Sequence, residues 1–235
     1  MKTDSRPGVL LRELLQNSKN DRHIVISPHL DDAVFSSTWP ILHCGAEVLT
    51  VFAGVPPPGS RPGWWDLQNG APDSTARMSD RIIEDIEALA ILGGHCLARM
   101  RILEDQYREH PADEDGLVEL LAPLLRSATH VWGPEGVAPH ADHKVVHRAL
   151  SSLAGRSESQ WQLFLYAEVP YCIDETWCSI ASSNASELPT GFTRLGDTAL
   201  AKKRRAVAAY KSQTIPLDID SEDDSLAVER FAAYC

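Results

Sequence analysis

The chain is short of basic charge. Its 22 lysines and arginines face 33 acidic residues, a formal charge of −11. That balance repels nucleic acid and anionic membrane, so neither is an expected partner. Lys202-Lys-Arg-Arg205 is a local exception, and four basic residues on one turn read as a solvated helix face. Cysteine is sparse: Cys44, Cys96, Cys172, Cys178 and Cys235 are odd in number and contain no Cys-x-x-Cys pair. The pattern argues against a disulfide framework or a thiolate zinc site, leaves Cys172 and Cys178 as separate thiols, and suits a reducing compartment. No apolar run approaches the roughly 20 residues that span a bilayer. The polar start, Met1-Lys-Thr-Asp-Ser-Arg-Pro7, is not followed by a signal-peptide core, so a cytoplasmic location is expected. Internal repeats, low-complexity tracts and a clean linker are also missing. The apolar fraction of 43 % is that of a globular protein with a sizeable core; the 235 residues suffice for one large domain or two small ones, and the alternation of strands and helices along the chain reads as one.

Strand and helix patterns alternate along the chain. A short helix is expected over 9–15, followed by a buried strand at 23–27 and a helix from Asp32 to about His43 that Gly45 stops. A second strand at 47–52 completes a strand–helix–strand unit, which implies parallel pairing. Residues 53–75 form a long Pro/Gly-rich stretch containing Trp64-Trp65. Loops of that length are candidate lids, and the two indoles either anchor the stretch or line a cleft. An amphipathic helix follows at 76–92, ended by Gly93-Gly94. Further strands are expected at 97–103, 130–132 and 162–169, with helices at 117–125 and 142–153. Residues 177–195 read as irregular, with a hairpin as one option. Helices are expected at 198–212 and 225–234. The fold class is α/β, Rossmann-like, with a mostly parallel sheet flanked by helices.

Two short clusters carry the chemistry. His29-x-Asp31-Asp32 follows the first strand, and His140-x-Asp142-His143 follows the strand near Val131. In a parallel sheet both strands discharge at the same edge, where open α/β proteins keep their sites. One carboxylate with two histidines is a ligand set for a catalytic metal. Zinc suits it best, with iron(II), cobalt or manganese as options. His147, four residues after His143 on the same helix face, is an alternative ligand, although the intervening residues lack the glutamate of a zincin.

These residues resemble a known family. Ser27-Pro-His-Leu-Asp-Asp32 looks like the His-Pro-Asp-Asp signature of PIG-L/LmbE-like N-deacetylases, and His140-Ala-Asp-His143 looks like their second motif. Arg81-x-x-Glu84-Asp85, Asp105-x-Tyr107-Arg108, Tyr166-x-x-Val169-Pro-Tyr171 and Ala208-x-Tyr210-x-Ser212-Gln213 resemble later segments in the same order, so the resemblance spans about residues 23–215. Leu30 and Ala33 depart from the family's proline and glutamate, and the residues before His140 offer no tyrosine. The resemblance implies His29, Asp32 and His143 as metal ligands and Asp31 as general base. It makes His140 the acid or oxyanion stabiliser and Asp142 an orienter of a histidine. The implied substrate is a small-molecule amide, an N-acetyl group on a glucosamine-containing compound, attacked by water that the metal activates. Arg81, Asp105, Arg108, Trp64 and Trp65 are candidate substrate contacts. An amidase acting on a non-sugar amide or thiol conjugate is one alternative. A silent protein that keeps the metal site is the other.

Overall fold

The computed structural model describes residues 21–156, 159–183 and 188–234; the helix expected at 9–15 lies outside them. Strand β1 (His23–Ser27) leads into helices α1 (Asp32–Ser36) and α2 (Thr38–Cys44), then β2 (Glu47–Thr50). Helices α3 (Trp64–Gln68) and α4 (Ser74–Leu92) precede β3 (His95–Arg99). Next come α5 (Glu114–Leu125), β4 (His130–Pro134), α6 (Ala141–Ala154) and β5 (Gln162–Tyr166). The last part holds α7 (Glu175–Ser182), β6 (Phe192–Arg194), α8 (Asp197–Ala209), α9 (Lys211–Thr214) and β7 (Val228–Ala233).

The strands form one sheet in the order β3-β2-β1-β4-β5-β7-β6. From β3 to β5 all pairs are parallel, while β7 runs antiparallel to both β5 and β6. Successive strand residues point to opposite faces, and both faces are covered. Val25, Trp132 and Phe164 share a core with Trp39 of α2, Leu89 of α4 and Val207 of α8. Ile24, Ile26, Val131 and Leu163 share the other with Leu121 of α5 and Val146 and Leu150 of α6. The expected α/β architecture, one mostly parallel sheet flanked by helices, is the architecture found.

Chain direction across the sheet reverses between β1 and β4, since β1, β2 and β3 step one way and β4 returns to the other side of β1. Pairing of β1 with β4 ends at Val25↔Trp132. Each strand keeps its other neighbour further, to Ser27↔Thr50 and Pro134↔Tyr166. The tips of β1 and β4 therefore part, and a crevice opens at the carboxyl edge.

Several expectations need correction. The helix from Asp32 to His43 is broken at Ser37 (φ −141°, ψ 33°). Pro40 explains the break, because its ring would meet the carbonyl four residues back and it has no N–H to donate. The buried Glu229 carboxylate accepts the freed N–H groups of Thr38 (2.9 Å) and Trp39 (2.8 Å). The stretch 53–75 contains helix α3, and α4 begins at Ser74, where Asp73 accepts from the Ala76 N–H (3.1 Å). Residues 177–195 contain α7 and β6 instead of a hairpin. Residues 225–234 are not a helix: a 3₁₀ turn, Asp224–Ala227, leads into β7. Its alanines permit a helix, but backbone partners on β5 and β6 decide the matter. Lys203 is no part of a solvated face, being fully buried with its Nζ 2.7 Å from Glu229 Oε1.

Candidate metal and active site

The turn after β1 is folded by its own side chains. Ser27 Oγ donates to the His29 carbonyl (2.5 Å) and accepts from the Ala33 N–H (2.9 Å). The His29 N–H donates to Asp32 Oδ2 (2.7 Å). These bonds curl Ser27-Pro-His-Leu-Asp-Asp32 so that His29 and Asp32 lie side by side at the tip of the strand. On the other bank, the turn after β4 passes through Gly136 at φ 72°, where a Cβ would stand 2.7 Å from the Cβ of His147. Only glycine accepts both the left-handed backbone and that approach. His147 itself donates from Nδ1 to the Pro134 carbonyl (3.0 Å) and so braces the turn; it belongs to none of the metal-competent clusters among the described residues. His140 is the N-cap of α6, its Nδ1 accepting from the Asp142 N–H (3.3 Å), and Asp142 and His143 occupy the first turn.

Across the crevice, three donor atoms converge. His29 Nδ1 lies 3.3 Å from His143 Nε2 and 3.5 Å from Asp32 Oδ2, and His143 Nε2 lies 3.4 Å from Asp32 Oδ2. Ligands about 2.05 Å from a tetrahedral ion stand about 3.3 Å apart, so this near-equilateral triangle has the dimensions of one face of such a shell. Both tautomers are fixed from outside. His143 Nδ1 donates to Glu168 Oε1 (2.6 Å), and His29 Nε2 donates to Asp142 Oδ2 (3.0 Å). Each imidazole thereby turns its remaining nitrogen into the triangle, the arrangement in which carboxylates orient metal-binding histidines. The donor set fits a divalent cation.

The electrostatics follow from burial and from these contacts. Burial alone would depress His29, but the Asp142 and Asp32 carboxylates outweigh it and hold the ring well above its ordinary value. Burial would raise Asp32, yet His143 and His29 keep it well below the usual carboxylate range. Asp142 is held at about 2 against its burial by His29 and Arg108. Asp31, 7 % exposed, goes the other way: burial and then the neighbouring Asp32 charge push it to about 7. Two adjacent carboxyls thus have divergent acidities. Burial and the proximity of His29 lower His140 to about 4, so its ring is neutral at pH 7. With Nδ1 accepting from Asp142, the ring proton sits on Nε2.

Around this centre is a cleft of about 370 Å³. His29, Asp31, Asp32, His140, His143, Arg81, Asp105, Trp64 and Trp65 line it. Arg81 is engaged, with Nη1 on both Glu104 oxygens (3.2 and 3.0 Å), Nη2 on Asp66 Oδ1 (3.2 Å), and Nε 2.5 Å from Gln213 once that amide turns its oxygen inward. Arg108 does not line the cleft. It stacks on Phe52 (4.9 Å), bonds the Leu103 carbonyl, and places Nη2 2.5 Å from Asp142 Oδ1, behind the carboxylate that holds His29. Asp142 also accepts from the Asp105 N–H (2.9 Å). On α3, Trp64 and Trp65 face the cleft while Asp66 turns inward to Arg81 and to the Tyr107 hydroxyl (2.6 Å). The indoles thus line the cleft, while the anchoring expected of them falls to Asp66 on the same helix.

Sequence reasoning passed over Glu168. It is fully buried, and its Oε2 also accepts from the N–H groups of Val137 (2.9 Å) and Ala138 (3.3 Å), tying the turn before His140 to the tip of β5. The signal was present: a carboxylate directly behind an apolar strand, at the same sheet edge, as for Asp31 and Asp32.

No protein-family model matches the chain. A 1D-myo-inositol 2-acetamido-2-deoxy-α-D-glucopyranoside deacetylase of Corynebacterium efficiens is 28 % identical, over 95 % of this chain and 74 % of its own length. The structure of teicoplanin deacetylase superimposes with a TM-score of 0.65 at 27 % identity, covering 91 % of this chain and 98 % of that one. Its zinc-inhibited form gives 0.64 at 26 % over the same shares. N,N'-diacetylchitobiose deacetylase of Pyrococcus horikoshii gives 0.60 over 99 % of this chain and 94 % of its own, and at 16 % identity it shows a shared fold alone. The chain is thus a homologue, in sequence and in fold, of deacetylases of the LmbE/PIG-L type.

Proposed function

We propose that the protein hydrolyses an N-acyl amide, with N-acetyl on a glucosamine-containing small molecule as the substrate class, and that it uses a divalent metal to do so. The observation that carries this reading is the triangle of His29, Asp32 and His143, with edges of 3.3–3.5 Å. Homologues that deacetylate amino-sugar compounds supply the substrate class. Bound there, a divalent ion such as zinc, iron(II), cobalt or manganese supplies a Lewis acid that acidifies water and polarises the amide carbonyl.

The chain's own groups divide the remaining work. Asp31, beside Asp32 and lining the cleft, accepts the proton as water attacks the amide carbon, and a carboxyl that burial makes more basic suits that task. His140 lines the cleft and, with its proton on Nε2, donates to the oxygen that gains negative charge; its lowered basicity supports this donor role over that of a cationic acid. Asp31 then hands its proton to the departing nitrogen as the C–N bond breaks, giving acetate and the free amine. Asp142, backed by Arg108, and Glu168 keep His29 and His143 in register. We also place Trp64, Trp65, Arg81 and Asp105 in the wall that receives the acceptor.

Elemental analysis together with acetate release tests the reading. Wild type is expected to hold a divalent metal and to release acetate from N-acetylglucosamine conjugates, and His29→Ala to lose both. Equal metal in the two proteins would sink the ligand assignment. Metal retained without acid release from any amide in a panel would leave a silent binding protein.

A further inference from the structure

Resting on the deacetylase reading, we propose that the cleft selects amides whose remainder is electrically neutral or cationic and carries an apolar, aromatic-sized face, and that it rejects amides bearing a phosphate or carboxylate nearby.

The cleft lining is rich in acid. Among the described lining residues four carboxylates, Asp31, Asp32, Glu104 and Asp105, face one guanidinium, Arg81. That guanidinium already bridges Glu104 and Asp66, so it has no unpaired charge to offer. Arg108, the next cation, lies behind the lining and is held on Asp142 and Asp105. A divalent ion in the triangle would offset Asp31 and Asp32, while Glu104 and Asp66 share Arg81 and Asp105 and Asp142 share Arg108, so four carboxylates against two cations still leave the acceptor side negative. Anion-recognising sites instead present unpaired guanidinium or ammonium groups. The same charge favours the product, since the amine released from the amide becomes an ammonium.

The cleft also carries exposed aromatic surface. Trp64 keeps 59 % of its surface exposed, and Tyr171 42 %. Both line the cleft, together with Leu217. Tyr171 stands edge-on to His143 at 6.0 Å, so aromatic surface reaches the ligand triangle itself. Aromatic surface left open beside a polar centre is the mark of a ligand-binding face.

Methyl and phenyl β-D-glucosaminide and glucosamine 1-phosphate, which cannot turn over, are titrated into the wild-type protein by calorimetry. Their N-acetyl forms are assayed in parallel for acetate. The phenyl compound should bind about tenfold tighter than the methyl compound, from the ring surface it buries. The phosphate should bind about tenfold weaker than the methyl compound in dilute buffer, with the gap narrowing at 0.5 M salt. Trp64→Ala should reduce the phenyl-to-methyl ratio several-fold. Equal or tighter binding of the phosphate, a phenyl-to-methyl ratio near one, or no binding by any of the three overturns the proposal. If the binding order holds and no acetate appears, the deacetylase reading falls and this one stands. Equal acetate release from all three N-acetyl forms has the opposite consequence.

Discussion

Glu168→Gln is a change of one atom at a fully buried position, and its effect can be worked from the contacts. The native carboxylate accepts at both oxygens: Oε1 from His143 Nδ1 (2.6 Å), Oε2 from the N–H groups of Val137 (2.9 Å) and Ala138 (3.3 Å). An amide can satisfy only one side. With its oxygen toward the backbone, its NH₂ faces His143 Nδ1, which must then accept; the ring proton moves to Nε2 and that atom can no longer ligate. With its oxygen toward His143, two backbone donors face an NH₂, at about 1–3 kcal/mol for each group left unsatisfied. Loss of such an outer carboxylate lowers metal affinity about 10–100-fold, or about 1.4–2.8 kcal/mol. Competition with a chromophoric chelator at fixed pH measures the zinc affinity, and a urea melt on the same sample separates that loss from unfolding. A folded Glu168→Gln protein that binds zinc within twofold of wild type would refute the claim that Glu168 sets the His143 tautomer.

Asp31→Asn should leave the metal content unchanged and slow acetate release by about 10²–10⁴-fold, the usual range for loss of a general base; wild-type turnover in the variant would remove Asp31 from the mechanism. Lys203→Met strands the Glu229 carboxylate in the core, where Lys203 and Glu229 are both essentially inaccessible. Breaking such a pair should cost about 3–5 kcal/mol in a urea melt, and a loss under 1 kcal/mol would show that the two capping N–H groups alone suffice for Glu229. Burial and the neighbouring His130 depress His23 to about 4. Between the ordinary value of 6.5 and that value the unfolded chain binds a proton that the folded one refuses, so stability declines as pH falls through the window. The loss attributable to His23 is about 2 kcal/mol at pH 5. His23→Asn should flatten the slope between pH 7 and 5, and an unchanged slope would place its origin elsewhere.

Much of the site was legible because two independent signals coincided at one edge: apolar runs that must be strands, and ionisable groups at their tips. His29, Asp31 and Asp32 after β1 and His140, Asp142 and His143 after β4 meet for that reason. What was illegible depended on partners remote in sequence. The segment 225–234 has no strong period of its own, and only β5 and β6 on either side make it a strand. Lys203 looks like its exposed neighbours, and nothing local says that Glu229 waits opposite. Arg108 was read as reaching substrate, but a guanidinium on a loop can turn either way, and Asp142 draws it inward. The break at Ser37 could have been foreseen from Pro40 alone.

The candidate triangle joins residues 114 positions apart, His29 and His143, and the outer contact of His29 with Asp142 spans 113. As the chain leaves the ribosome, His29 and Asp32 emerge long before Glu168, and until then they have neither the second histidine nor the carboxylate that fixes its tautomer. The triangle is complete only after β4 has paired with β1, and its outer carboxylate Glu168 arrives only when β5 has joined β4. An ion held by the triangle would therefore enter late, and it would tie the turn after β1 to the turn after β4 across 114 positions of chain.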